Sequence, residues 1–319
     1  MKRLAVIGAG VMGANHARVA GNHRDWELVA VIDADLERAK AVGGATQAEC
    51  FADVAGMLAA VQIDAAVVAV PTRFHCDVAH ELLQHGVHVL VEKPIAPTRA
   101  DAEALIARAD GLGLTLMVGH IERFNAAVRA LLETDEVPVH VEASRIGPYS
   151  ARVADSVVAD LMIHDLDIVR ALARSEAATV AAVAQRTHSG EADLGVAVLT
   201  FESGMTATCT ASRIGQQKIR ELRVTYADRF VVADLIRQDI SINRVAHTEF
   251  LASDGARYRQ SGVVEIPFLD RVEPLAAELS SFHRAVSTDA AATVDGVDGL
   301  RALELVERVE RAAAGAVIT

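Results

Sequence analysis

KRLAVIGAGVMGANHARVA, residues 2–20, is the stretch that decides how the rest of the chain is read. Leu4 to Ile7 is a continuous apolar, β-favouring run without polar alternation, the pattern of a parallel strand covered on both faces. It leads directly into GAGVMG, and the residues from Met12 to Ala20 have helical composition. Gly8, Gly10 and Gly13 therefore sit at a strand-to-helix turn, the setting in which a GxGxxG pattern carries meaning. Gly8 permits the tight turn, Gly10 lets a pyrophosphate approach the backbone, and Gly13 lets helix and strand close on one another. Together with Val11 and Met12 they would present the free N–H groups and partial positive charge of a helix start to phosphate. A plain glycine turn would look the same in isolation, so the next strand has to decide.

Glu27 to Ile32 reads as that strand and stops at Asp33, twenty residues after Gly13, where a dinucleotide fingerprint wants an acid for the adenosine ribose. Such a carboxylate favours NAD over NADP. Ala34 follows it rather than an arginine, although Arg38 one turn further on keeps NADP open. The competing role for Asp33 is a helix N-cap. The alternation then continues. Asp64–Val70 is an apolar strand ending at Pro71 and Thr72, and a helix carrying His75 and His80 follows. Val87–Val91 runs into Glu92-Lys93-Pro94, a helix spans Thr98–Gly111, and Thr115–Val118 precedes His120. Repeated β-α-β units imply a doubly wound parallel sheet, with ligands bound beyond the carboxyl ends of its strands. Pro71, Thr72, Lys93 and His120 should all face that crevice. Val70, His75 and Glu92 join Pro71, Thr72 and Lys93 as candidates for holding the cofactor.

After His120 the pattern changes to strands at 139–146, 179–187, 194–202, 205–214, 218–226 and 229–234, with a helix near 157–173. Glu202-Ser203-Gly204 is the clearest hairpin turn. The expected organisation is an α/β chain: a Rossmann domain over 1–121, then a substrate-binding α+β domain over 122–319 built on an open, mostly antiparallel sheet. Two final helices, 273–287 and 297–313, should return toward the first domain. An open sheet with an apolar second face needs cover, so a homodimer or homotetramer is expected.

Composition narrows the classes. The 319 residues carry a formal charge of −12, which opposes adhesion to nucleic-acid backbones. Three cysteines, Cys50, Cys76 and Cys209, show no CxxC spacing, and there is no HExxH, so no metal site is expected. No stretch approaches the roughly 20 uninterrupted apolar residues of a spanning helix, and the expected location is cytoplasmic.

Five segments carry a resemblance: GAGVMGANH at 8–16, VPTRFH at 70–75, VEKPIA at 91–96, VGHIERFN at 118–125 and DLMIHDLDI at 160–168. In this order and spacing the chain resembles the glucose-fructose oxidoreductase, inositol dehydrogenase and MocA-like (Gfo/Idh/MocA) family along its whole length. The resemblance implies an NAD(P)-linked dehydrogenase or ketoreductase acting on a polyol, sugar or nucleotide sugar. It makes Lys93 the residue that contacts the reacting hydroxyl or nicotinamide ribose, and Asp160 with His164 the pair supporting proton transfer. IERFN, IGPYSARVADS at 146–156 and HDLDI look most like the UDP-N-acetylglucosamine 3-dehydrogenases.

The residues can do that chemistry. Hydride loss from an alcohol carbon must be matched by loss of the hydroxyl proton, so a base is needed. A lysine in a crevice beside a nicotinamide cation has its ammonium form disfavoured. Asp160 and His164 are four apart in a helical pattern, which puts a carboxylate and an imidazole on one face as a general acid/base pair. A helix with ordinary mixed polar residues is the rival reading of that segment. For a substrate diphosphate, Arg123, Asn125, Arg145 and Arg152 are the candidate donors, and His120 joins them as a candidate substrate-binding residue. Rival functions are an inositol or polyol dehydrogenase, a 3-ketosugar reductase, or a regulator that only senses dinucleotide. Such a regulator would have no need of Lys93 and His164.

Overall fold

In the N-terminal third, apolar runs become strands wherever the helices between them are long enough to cross over. The order is β1 (Lys2–Ile7), α1 (Val11–Ala20), β2 (Trp26–Ile32), α2 (Leu36–Gly43), β3 (Glu49–Phe51), α3 (Val54–Ala60), β4 (Ala65–Val68), α4 (His75–Gln84), β5 (His88–Glu92), α5 (Arg99–Leu112) and β6 (Leu116–Gly119). The strands form one sheet in the order β3-β2-β1-β4-β5-β6, every pairing parallel. The chain reverses direction between β1 and β4, which makes the carboxyl ends of these two strands the switch point where such sheets bind ligands. Local chemistry starts and stops the helices. Asp53 and Thr98 cap α3 and α5 by accepting from Gly56 and Asp101 N–H, and Gly113 ends α5 in the left-handed region at φ 64°.

The computed structural model describes residues 1–149, 155–252, 255–288 and 290–315. Two compact units result, Met1–Phe124 with Val272–Glu304, and Asn125–Arg271 with the residues from Leu305 onward. The second unit begins with α6 (Ala126–Leu132) and β7 (His140–Ile146), then a π-helical turn (Val158–Met162) leading into α7 (Ile163–Ala173). There follow β8 (Ala177–Gln185), β9 (Leu194–Phe201), β10 (Thr206–Ser212), β11 (Ile219–Thr225), β12 (Phe230–Asp234), β13 (Asp239–Ala252) and β14 (Gly255–Glu265). They make an eight-stranded sheet, β14-β13-β12-β11-β7-β10-β9-β8, in which only the β7–β10 pairing is parallel. The β9–β10 hairpin turns at Gly204, φ 87°, as the Glu202-Ser203-Gly204 signal expects. Ala197, Leu199, Ala207 and Cys209 are buried on one face of this sheet. The other face shows Val196, Val198, Thr208 and Thr210, partly exposed and less apolar than expected.

The chain closes with α8 (Pro274–Thr288) and α9 (Gly296–Gly315). Helix α8 belongs to the first unit. The Trp26 indole N–H donates to the Leu279 carbonyl at 2.9 Å, and its ring meets that of Phe282 at 5.6 Å. No helix among the described residues is long and apolar enough to cross a membrane.

Candidate active site

The glycine turn is built for close approach. Gly8 has φ 96°, and a Cβ there would lie 2.5 Å from the Ala69 carbonyl oxygen. A Cβ on Gly13 would lie 1.7 Å from the Gly8 oxygen, so helix α1 can sit this close to β1 only with glycine at that position. Gly10, by contrast, faces open space within 4 Å, and no side chain caps α1. Val11 is exposed and Met12 half-buried at this helix start. The first-turn N–H groups are thus left for an anion, and the cradle fits a pyrophosphate.

Asp33 does not cap α2; Asp35 does, accepting from Arg38 N–H. Asp33 instead ties two loops together, its Oδ2 accepting from Ala9 N–H at 2.8 Å and its Oδ1 from Asp35 N–H at 2.9 Å. The Arg38 guanidinium stands 3.5 Å from Asp33 and 3.3 Å from Asp35. The acid is therefore oriented at the end of β2, beside the glycine turn, where a ribose would present its hydroxyls.

Because all six strands are parallel, Val70-Pro71-Thr72 after β4, Lys93 after β5 and His120 after β6 lie at the same end of one sheet. Lys93 is half-buried, and its bond to Pro94 is cis. His75 and Glu92 behave differently from the expectation that they meet the cofactor. His75 is buried, with Nδ1 2.9 Å from the Pro94 carbonyl oxygen and Nε2 2.9 Å from that of Val70. Burial lowers its pKa, more than those two carbonyls raise it. Glu92 is buried against Gly119, its Oε1 2.8 Å from His16 Nε2 and its Oε2 accepting from Lys93 N–H at 3.3 Å. Burial pushes the Glu92 carboxyl up, but the hydrogen bond and charge of His16 outweigh it and leave the group below the usual carboxylate range. Behind it Glu278, on α8, is fully buried, and burial together with the Glu92 charge holds its carboxyl well above that range.

In the second unit Asp160 lies within the π-helical turn and His164 is the second residue of α7, both half-buried. The expected single α-helix is thus interrupted at its start by a wider turn, a feature frequent at functional sites. Gly195 on β9 makes room for it. A Cβ there would come within 3.2 Å of Val158 and 3.3 Å of Met162. Helix α7 is fixed to the sheet by a buried bidentate pair, Arg145 Nε to both Asp165 oxygens at 3.0 Å and Nη2 to Oδ1 at 2.8 Å.

The expected diphosphate donors fare unevenly. Arg145 is committed to Asp165 and is no longer a candidate for phosphate. Asn125 is buried as the N-cap of α6, accepting from Ala127 N–H, and its Nδ2 donates to the Leu235 carbonyl at 2.8 Å. Arg123 lies 3.6 Å from Asp298, and His120 is buried at the end of β6. Arg152 falls outside the described residues. Among those residues, no group of three His, Cys, Asp or Glu side chains is placed to hold a metal.

Residues 2–120 match the oxidoreductase family with an NAD-binding Rossmann fold, and residues 118–228 match the Gfo/Idh/MocA C-terminal domain. The chain belongs to the Gfo/Idh/MocA oxidoreductase family. A UDP-N-acetylglucosamine 3-dehydrogenase from Acidithiobacillus ferrooxidans is 32% identical over 92% of both chains. A solved structure of that enzyme superposes with a TM-score of 0.89 at 32% identity, covering 98% of each chain. An inositol 2-dehydrogenase from Rhizobium meliloti is 28% identical over 92% of this chain and 91% of its own. The protein is therefore an oxidoreductase of a family with an NAD-binding Rossmann fold, and its named relatives are dehydrogenases acting on CH–OH groups.

His16, Glu278 and the Arg145–Asp165 pair are absent from the motif-based reading. For His16 a signal did exist: it falls on the buried stripe of α1 with Gly13, Ala17 and Ala20, spacing that points inward. Nothing comparable marks Asp165, which sits twenty residues from its partner on another element.

Proposed function

We propose that the protein oxidises a ring hydroxyl of a nucleotide sugar, with C3 of UDP-N-acetylglucosamine as the position and NAD as the acceptor. The observation that carries this is the UDP-N-acetylglucosamine 3-dehydrogenase relative, which matches across both units rather than the dinucleotide domain alone. Gly8, Gly10, Val11, Met12, Gly13 and Asp33 would hold the dinucleotide, with Val70, Pro71 and Thr72 closing the adjoining loop. Bound there, the dinucleotide would supply the acceptor for the hydride that leaves the ring carbon. The protein's part is the proton. Lys93 lies at the ligand-binding end of the parallel sheet and hydrogen-bonds the reacting oxygen. His164 accepts the hydroxyl proton, with Asp160 supporting the imidazole. His120 and Arg123 remain candidates for contacting the sugar or its phosphates. The carboxylate of Asp33 favours an unphosphorylated ribose and hence NAD over NADP. The partly apolar open face of the second sheet is the surface on which a homodimer or homotetramer would form, and the compartment is cytoplasmic.

A polyol reading is the alternative, favoured by the inositol 2-dehydrogenase relatives. Pure protein with NAD and a panel of UDP-sugars, free sugars and inositols decides between them by the absorbance of the reduced cofactor. Turnover of UDP-N-acetylglucosamine well above the rest is expected. Turnover confined to inositols would replace this reading with the polyol one.

A further inference from the structure

Two buried imidazoles bracket Lys93, and neither is accounted for by binding a ligand. His16 has no exposed surface, yet it reaches from α1 to the Glu92 carboxylate at 2.8 Å. Glu92 in turn accepts the N–H of Lys93 on its other oxygen. It is confined from a third side, because a Cβ on Gly119 would stand 3.2 Å from both Cδ and Oε2 of that carboxyl. On the far side of Lys93, the His75 ring lies between the carbonyls of Pro94 and Val70, 2.9 Å from each, and donates to one of them. An imidazole has little capacity to donate hydrogen bonds, and burying one costs free energy unless that capacity is used. Here both rings use that capacity on the residues flanking one lysine.

We propose that His16 and His75 are positioning residues for Lys93, fixing the backbone on either side of it through Glu92 and Pro94. The proposal rests on the reading of Lys93 as a residue that contacts substrate. Lysine has a long flexible side chain, so its ammonium can be aimed reproducibly only from a fixed root. His16 and Glu92 hold the residue before the lysine, and the buried His75 ring, seated between the carbonyls of Pro94 and Val70, fixes the spacing of the two loops. Neither imidazole exchanges a proton with substrate.

The test uses His16→Gln, Glu92→Gln, the double variant and His75→Asn, each in the full chain. With NAD and UDP-N-acetylglucosamine, each single variant should lose about 10- to 100-fold in kcat with little change in NADH affinity, the cost of a misplaced group. The two substitutions act on one contact, so the loss in the double variant should fall short of the product of the single losses. The chain has only four lysines, Lys2, Lys40, Lys93 and Lys218. Reductive 13C-methylation therefore gives a short spectrum in which the Lys93 signal, assigned by its absence in Lys93→Ala, should move in the variants while the other three stay. This readout needs no substrate, and a general loss of stability would not confine the change to Lys93. Wild-type kcat and an unmoved Lys93 signal in the His16 and Glu92 variants, with Lys93→Ala inactive, would overturn the inference alone. Full turnover by Lys93→Ala would remove the reading beneath it as well.

Discussion

Replacing Glu278 by glutamine should stabilise the first unit, and increasingly so as pH rises. Glu278 lies on the buried stripe of α8 with Leu275, Leu279 and Phe282, and neither carboxyl oxygen has a hydrogen-bond partner among the described residues. Burial and the nearby Glu92 charge both raise its pKa well above that of an exposed glutamate. Between the unfolded pKa, about 4.3, and the raised folded value, the folded chain binds one more proton than the unfolded chain. Stability from this group is therefore complete below that window and falls through it by about 1.4 kcal/mol per pH unit. Glutamine is nearly isosteric with the protonated acid and does not titrate. As pH rises through the window, wild type should lose stability relative to Glu278→Gln. Trp26, the chain's one tryptophan, is packed on α8 and reports this region by fluorescence. Urea unfolding of the two proteins at about pH 5.5 and about pH 7.5 supplies the comparison. Stability differences that are equal at the two values would refute the reasoning, because Glu278 would then titrate alike in the folded and unfolded chain.

Asp33→Ala should weaken NAD binding roughly tenfold, the scale of one charge-assisted hydrogen bond, and lower the NAD-to-NADP affinity ratio; titration calorimetry with both cofactors checks this, and an unchanged ratio would limit Asp33 to tying the loops. Arg145→Met should destabilise the second unit by about 3–5 kcal/mol by stranding Asp165, while Arg145→Met with Asp165→Leu should recover most of that. Thermal unfolding of the three proteins separates these outcomes, and additive losses would mean that the pair is not what anchors α7.

The first unit was largely legible because its chemistry is local. A buried strand, three glycines at fixed offsets and an acid at the end of the next strand are each imposed by a short stretch of chain, and the parallel topology then carries Lys93 and His120 to one end of the sheet. The short β3 and helices α2 and α3 escaped, since their apolar positions are too few to show a period. The hairpin of β13 and β14 escaped because its strands are rich in charged and polar residues and carry no run like that of β1. Side chains whose partners are distant in sequence were read least well. Arg145 looks like a phosphate donor until Asp165 occupies its fork, and His75 looks like a cofactor contact until its ring is found buried between the carbonyls of Pro94 and Val70. The turn at Asp160 shows the same limit, since the four-residue spacing to His164 is visible in sequence but the π-helical hydrogen bonding is not.

Hydride transfer itself can be followed with UDP-N-acetylglucosamine carrying deuterium at C3 and unlabelled NAD. Label should arrive in the reduced cofactor with wild type, and Lys93→Ala should bind NADH but pass on none. Reduced cofactor free of deuterium, or wild-type transfer by the lysine variant, would contradict the account.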